Sequence, residues 1–86
     1  MAGSWNVDSI RRLVLTTLRS INRGGDGIRA ETGWIRCGYQ RCRRFDCREI
    51  QVVWFLEERT VKFYRNNRTI LRIVRLESVP AELNAA

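Results

Sequence analysis

The spacing of apolar residues changes once along this chain, and that change limits the folds that it can adopt. Over residues 7–21 the apolar side chains recur at the period of an amphipathic helix. Asn6 or Asp8 can cap its start by accepting from an unpaired backbone N–H, and the glycine pair that begins at Gly24 can end it. We predict one helix over about residues 8–22.

Beyond this helix the pattern becomes that of short strands. A glycine-rich stretch predicts a loop at about 23–32, and blocks of aromatic and β-branched residues follow it. We predict strands at about 33–39, 49–57, 60–65 and 69–76. The tail from 77 to 86 contains Ser78-Val79-Pro80, which can start a short C-terminal helix.

These elements predict an α+β fold in a single small domain, residues 1–86, because a chain of this length has material for only one core. One N-terminal amphipathic helix would pack on a three- or four-stranded antiparallel sheet. Two-residue turns at Glu58-Arg59 and Asn66-Asn67 would join the last three strands. The first turn would place Trp54 opposite Phe63, and the second would place Phe63 opposite Ile70.

Those turns decide which side chains share a face of the sheet, because side chains alternate along a strand. The helix side would carry Val52, Trp54, Leu56, Val61, Phe63, Ile70 and Val74. Arg72 falls on the same side, where it must reach past the sheet edge or pair with Glu77. The opposite side is more apolar than a solvent face should be, which indicates that a partner covers it. The predicted interface residues are Val53, Phe55, Tyr64, Leu71 and Ile73.

Charge is the strongest indication of function. The formal net charge is +7 on 86 residues, and Lys62 is the only lysine. Guanidinium groups match phosphate in a bidentate geometry and stack on bases, so this composition favours a nucleic-acid partner.

The chain has no histidine, and so it lacks the commonest acid–base group and metal ligand at neutral pH. We predict a protein that is not an enzyme and has no cofactor.

The arginines concentrate in two groups, one between Trp34 and Arg48 and one beside the last hairpin. Aromatic residues interleave the first group and could stack on unpaired bases. The predicted nucleic-acid-binding residues are Arg36, Arg41, Arg43, Arg44, Arg48, Arg65, Arg68 and Arg75. The main hypothesis is therefore a non-catalytic module that binds DNA or RNA. The alternative is a protein-interaction module that homodimerises or binds another protein through the outer face of its sheet.

Three cysteines, Cys37, Cys42 and Cys47, recur at intervals of five residues. Structural zinc sites use paired C-x2-4-C units, so this spacing favours partly buried thiols and leaves a metal site or a disulfide as alternatives. An odd number of cysteines, and no apolar run near the roughly 18–20 residues of a membrane span, indicate a cytoplasmic protein.

Overall fold

The computed structural model describes residues 5–21, 27–65 and 68–78. Within them lie one helix, six antiparallel strands and a final 3-10 turn. They are α1 (Val7–Ile21), β1 (Ile28–Glu31), β2 (Ile35–Cys37), β3 (Gln40–Cys47), β4 (Ile50–Phe55), β5 (Thr60–Arg65), β6 (Ile70–Arg75) and the 3-10 turn Leu76–Ser78. The predicted α+β class and antiparallel sheet are confirmed, and the predicted three or four strands were too few. The glycine pair, the Asn66-Asn67 turn and the tail beyond residue 78 lie outside these residues.

The sheet is a meander with the order β1-β3-β4-β5-β6. β2 pairs with the first half of β3 and β1 with its second half, so the two short strands line the same side of β3. Two of these strands were not predicted: β1 lies in the predicted loop, and β3 lies in the arginine-rich stretch. β3 has little intrinsic strand preference, and it forms because backbone partners flank it on both sides.

The helix begins with reciprocal hydrogen bonds between Asn6 and Ser9. The backbone N–H of Ser9 donates to Asn6 Oδ1 at 2.8 Å, and the backbone N–H of Asn6 donates to Ser9 Oγ at 3.0 Å. Asn6 is therefore the N-cap of α1, one of the two residues predicted for this position. The apolar face of α1 packs on one face of the sheet in a core made of Ile10, Leu13, Val14, Leu18, Phe45, Ile50, Val52, Trp54, Val61, Phe63 and Leu76.

Both predicted hairpin registers differ from the structure by two residues. Trp54 pairs with Val61 rather than with Phe63, and Phe63 pairs with Arg72 rather than with Ile70. The turn between β4 and β5 runs from Leu56 to Arg59 and is longer than the two residues expected, and the β5–β6 pairing contains a bulge. Because side chains alternate with a period of two, a shift of two residues leaves every side chain on its predicted face. This is why most of the predicted helix-side residues are buried despite the wrong register.

A bulge in the β5–β6 pairing is the exception. Ile70 pairs with Tyr64 and is exposed, whereas it was expected in the core. Leu71 was expected on the outer face and instead packs against the core. Arg72 points to the helix side as predicted, and its Nη1 donates to Ser20 Oγ of the helix at 2.7 Å rather than to Glu77.

No helix among the described residues is long and apolar enough to cross a membrane.

Candidate functional site

The face of the sheet opposite α1, called here the outer face, is not covered by any helix or strand of the described chain. Directly paired residues of antiparallel strands share a face, so the strand register shows which side chains lie on the outer face. Three rows cross it: Cys42, Phe55, Thr60 and Arg75; Arg44, Val53, Lys62 and Ile73; and Asp46, Gln51, Tyr64 and Ile70. The centre is apolar and aromatic, and cations stand around it.

A groove of about 580 Å³ lies on this face. Its lining consists of Cys37, Gln51, Val53, Phe55, Tyr64, Arg65 and Arg68. Phe55 and Tyr64 are half-buried and so present part of each ring to solvent. Three of the predicted interface residues therefore line one concavity, together with two of the predicted nucleic-acid-binding arginines.

Lys62 stands over one of the two rings. Its Nζ lies 4.9 Å from the centroid of the Phe55 ring and 3.8 Å from Glu58 Oε1. A cation–π contact and an ion pair at a partly exposed site each contribute little, so this flexible side chain can move at small cost. A planar ligand would reach this side of the Phe55 ring only after Lys62 moves aside.

Two arginines mark another part of the groove wall. Arg68 has a φ of 68°, a left-handed conformation that is uncommon outside glycine and asparagine. Its N–H donates to the Arg65 carbonyl at 2.7 Å, while the Arg65 N–H donates to the Thr69 carbonyl at 2.8 Å. Neither guanidinium has an ion-pair partner within the described residues. Two cations without an ion-pair partner in the described part of the chain thus lie in one lining with the aromatic rings.

The predicted arginine group between Trp34 and Arg48 does not form one patch. Arg43 lies on the helix side of the sheet, since it pairs with buried Trp54. Its Nη2 is 3.4 Å from Glu31 Oε1, its Cζ is 5.8 Å from the Trp34 ring, and its side chain is only 17% exposed. These contacts indicate a structural role for Arg43.

Arg44, the next residue, pairs with Val53 on the outer face, and its side chain is 41% exposed. Its Nε lies 3.6 Å from Asp46 Oδ1, so it is the member of this group that reaches the rows around the groove. Arg48 lies exposed between β3 and β4, and Arg75 lies exposed on β6.

Arg36 and Arg41 are directly paired residues of β2 and β3, outside the groove lining. Arg41 lies 3.5 Å from Glu57 Oε2, and its backbone N–H donates to Glu57 Oε1 at 2.8 Å. This backbone hydrogen bond holds the pKa of Glu57 below its usual value. The carboxylate therefore stays charged and offsets the basic field at that end of the sheet.

Glu31 joins the helix to the first strand, and sequence reasoning did not single it out. Its carboxylate accepts from Arg11 Nε at 2.6 Å and Arg11 Nη2 at 3.0 Å. This bidentate hydrogen bond lowers the pKa of Glu31. No local pattern could reveal the contact, because the two residues lie 20 positions apart.

The cysteines differ from the preferred prediction. Cys37 and Cys42 form a disulfide, with their Cα atoms 6.0 Å apart, so the expectation of ordinary thiols was wrong for this pair. They are diagonal neighbours on one face of the β2–β3 hairpin. Cys47 remains a half-buried thiol, and burial raises its pKa to about 11. The described residues contain no group of histidine, cysteine and carboxylate side chains arranged to hold a metal ion.

Comparison with protein-family models, with curated proteins and with solved structures finds no match to this chain.

Proposed function

We propose that this protein is a non-catalytic module that binds single-stranded nucleic acid across the outer face of its sheet. The observation that carries the proposal is the groove, in which two partly exposed aromatic rings lie beside two arginines that have no ion-pair partner among the described residues. Single-strand-binding surfaces combine these two features, because bases stack on aromatic rings while phosphates are held by cations. The net charge of +7 adds long-range attraction for any polyanion.

In this proposal particular side chains have separate roles. Phe55 and Tyr64 would stack on unpaired bases, and Arg65, Arg68 and Lys62 would meet phosphates along the strand. Arg44 would supply a fourth phosphate contact from the adjoining row. Duplex bases are already stacked on one another and cannot reach the rings, so single strands should bind more tightly than duplexes of the same length.

The salt dependence of binding follows from that set of cations. Each phosphate neutralised on a single strand contributes a slope of about −0.7 to log K against log salt, so four contacts give about −3. Raising the salt concentration fourfold should weaken binding roughly 50-fold. Fluorescence anisotropy with labelled oligonucleotides of about ten nucleotides measures this directly. Failure to bind at low salt would reject the proposal.

Two arginines with unusual backbone angles provide a matched pair of variants. Arg68 lines the groove and Arg59 does not, yet both have positive φ, at 68° and 54°. Glycine tolerates this conformation, so Arg68→Gly and Arg59→Gly should each fold and remove one positive charge. We expect Arg68→Gly to weaken oligonucleotide binding and to reduce the salt slope by about 0.7, with a smaller effect from Arg59→Gly. Equal effects would mean that diffuse charge, not the groove, binds the ligand.

Stacking is tested separately from charge. Tyr64→Ala should cost about 1–3 kcal/mol of binding free energy if a base stacks on the ring, with little change in salt slope. Ile73→Ala, on the same face but outside the groove lining, is the control. A loss no larger than that of the control would remove Tyr64 from the binding surface.

A second candidate function is self-association through the same face. It is favoured by Ile35, Ile70 and Ile73, which lie on the outer face and are 42%, 52% and 50% exposed. Exposed apolar side chains bordered by charge commonly mark protein contacts. Sedimentation should then show a dimer that Ile73→Glu or Phe55→Glu dissociates without unfolding, whereas a monomer at high concentration would exclude this function.

We include a cytoplasmic location in the proposal, and the disulfide provides its test. Cytosolic thiol systems keep most disulfides reduced, so a cytoplasmic location requires that the disulfide seen in the structure is reduced in cells. Cys37 and Cys42 should then be alkylated in protein taken rapidly from cells. Mass spectrometry reads the number of modified thiols. A fully oxidised pair would indicate an oxidising compartment instead.

A further inference from the structure

Strand β6 (Ile70–Arg75) is an edge of the sheet, and no described residue pairs with the backbone on the side of β6 that is turned away from β5. The opposite edge is divided, because β1 and β2 are separate short strands and the pairing of β1 contains an irregularity. An unpaired edge of six residues is a template to which another extended segment can add.

The backbone groups that face this open edge can be identified from one hydrogen bond. Leu76 N–H donates to the Arg59 carbonyl at 3.0 Å, so Leu76 directs its backbone groups toward β5. Backbone direction alternates along a strand, and Val74 therefore also faces β5 while Ile73 and Arg75 face outward. An added strand would find the N–H and C=O groups of these two residues unpaired within the sheet.

The same two residues place their side chains on the outer face. Ile73 pairs with Lys62 and is half exposed, and Arg75 pairs with Thr60 and is exposed. Arg72, by contrast, is directed to the helix side, where Ser20 accepts a hydrogen bond from it. A strand added beside β6 would thus meet one apolar and one cationic side chain, two positions apart on one face.

We propose that β6 is a docking edge for an extended protein segment that carries an apolar residue near Ile73 and a carboxylate near Arg75. Charge complementarity selects this occupant, because the charged residues of β6 are all arginines and the chain carries a net charge of +7. A second copy would bring two further arginines to this edge and another net charge of +7, so charge repulsion opposes it as the occupant. The acidic segment gains backbone hydrogen bonds and an ion pair together.

Amide hydrogen exchange followed by NMR reads the docking at the predicted atoms. The probe is a peptide of about eight residues that repeats Val-Thr-Glu-Thr, so that valine and glutamate stand two positions apart on one face of the added strand. At saturation it should slow exchange of the Ile73 and Arg75 amides at least about tenfold, with little change at Val74, which already donates within the sheet. A peptide of equal charge with a central proline, which cannot complete the ladder, should give no such protection.

Variants of the full chain test both parts of the edge. Arg75→Glu should weaken peptide binding about tenfold more than Arg29→Glu, which makes the same charge change on β1 at the other edge. Ile73→Pro removes an outward N–H without removing a β5–β6 hydrogen bond and should abolish docking. If Ile73→Pro fails to fold, Arg75→Glu decides the question alone.

Three results would overturn the docking edge. The proline peptide or a single-stranded oligonucleotide could protect the Ile73 and Arg75 amides as well as the probe peptide does, or a dimer could protect these two amides without any peptide. The proposed function is judged separately, because Arg68→Gly should weaken oligonucleotide binding and leave peptide docking unchanged.

Discussion

Neighbouring Arg43 and Arg44 should behave differently when each is replaced by alanine. Arg43 lies on the helix side, 17% exposed, between Glu31 and the Trp34 ring. Arg44 lies on the outer face, 41% exposed, beside Asp46. We expect Arg43→Ala to destabilise the fold and Arg44→Ala to leave stability nearly unchanged while weakening nucleic-acid binding.

The magnitude for Arg43→Ala follows from its two contacts. A cation–π contact with a partly exposed ring contributes about 1 kcal/mol. Its ion pair with Glu31 adds about 1 kcal/mol, a low value because the pair is long at 3.4 Å and Arg11 continues to neutralise the carboxylate. A total loss of about 2 kcal/mol lowers the midpoint of thermal unfolding by roughly 8–16 °C for a domain of this size.

Circular dichroism during heating and during urea titration measures this difference, and anisotropy on the same samples measures binding. Arg44→Ala should change the free energy of unfolding by less than about 0.5 kcal/mol, since its ion pair is at the surface. If the two variants melted at the same temperature, the assignment of Arg43 to a structural role would be wrong. If only Arg43→Ala weakened binding without loss of stability, the binding surface would be on the helix side instead.

Three further predictions concern the fold. Asn6→Ala removes the acceptor for Ser9 N–H and should cost about 1 kcal/mol in urea unfolding, whereas Asn6→Asp should retain the cap. The pKa of Glu31 is lowered in the folded state, so the stabilisation by its carboxylate is present above the usual pKa of 4.5 and is lost as the pH falls through the lower folded pKa. Glu31→Gln should therefore flatten the pH dependence of the free energy of unfolding in that acidic range. An unchanged pH dependence would contradict the Arg11 contact. With its pKa raised to about 11, Cys47 should react with maleimide more slowly at pH 8 in folded protein than in urea-unfolded protein, and equal rates would show that burial does not protect it.

Local patterns were sufficient for the helix and for four strands, β2, β4, β5 and β6. The helical period over residues 7–21 and the β-branched residues of β4, β5 and β6 depend on near neighbours, and so the sequence predicted them. The face of most core residues was also predictable, because the two register errors were each of two residues and side chains repeat with that period.

The position of β3 was decided by tertiary structure. Its residues have little strand preference of their own, and they become a strand because β4 pairs with one side and β1 and β2 with the other. Once β3 is a strand, alternation separates adjacent arginines, Arg43 toward the helix and Arg44 toward the outer face. A cluster of arginines along the chain is therefore not a cluster in space.

The candidate site could be predicted only in part for the same reason. Phe55 and Tyr64 were correctly expected on one face from the alternation of β4 and β5. The groove, however, depends on how residues of three strands, β2, β4 and β5, are brought together with Arg68. The Cys37–Cys42 disulfide and the Arg11–Glu31 pair likewise require contacts between elements. By itself the sequence determined the periodicity, the charge and the alternation of faces, because each depends on residues close along the chain. Only the tertiary structure decided which arginines form ion pairs and which line the groove, because both depend on contacts between elements.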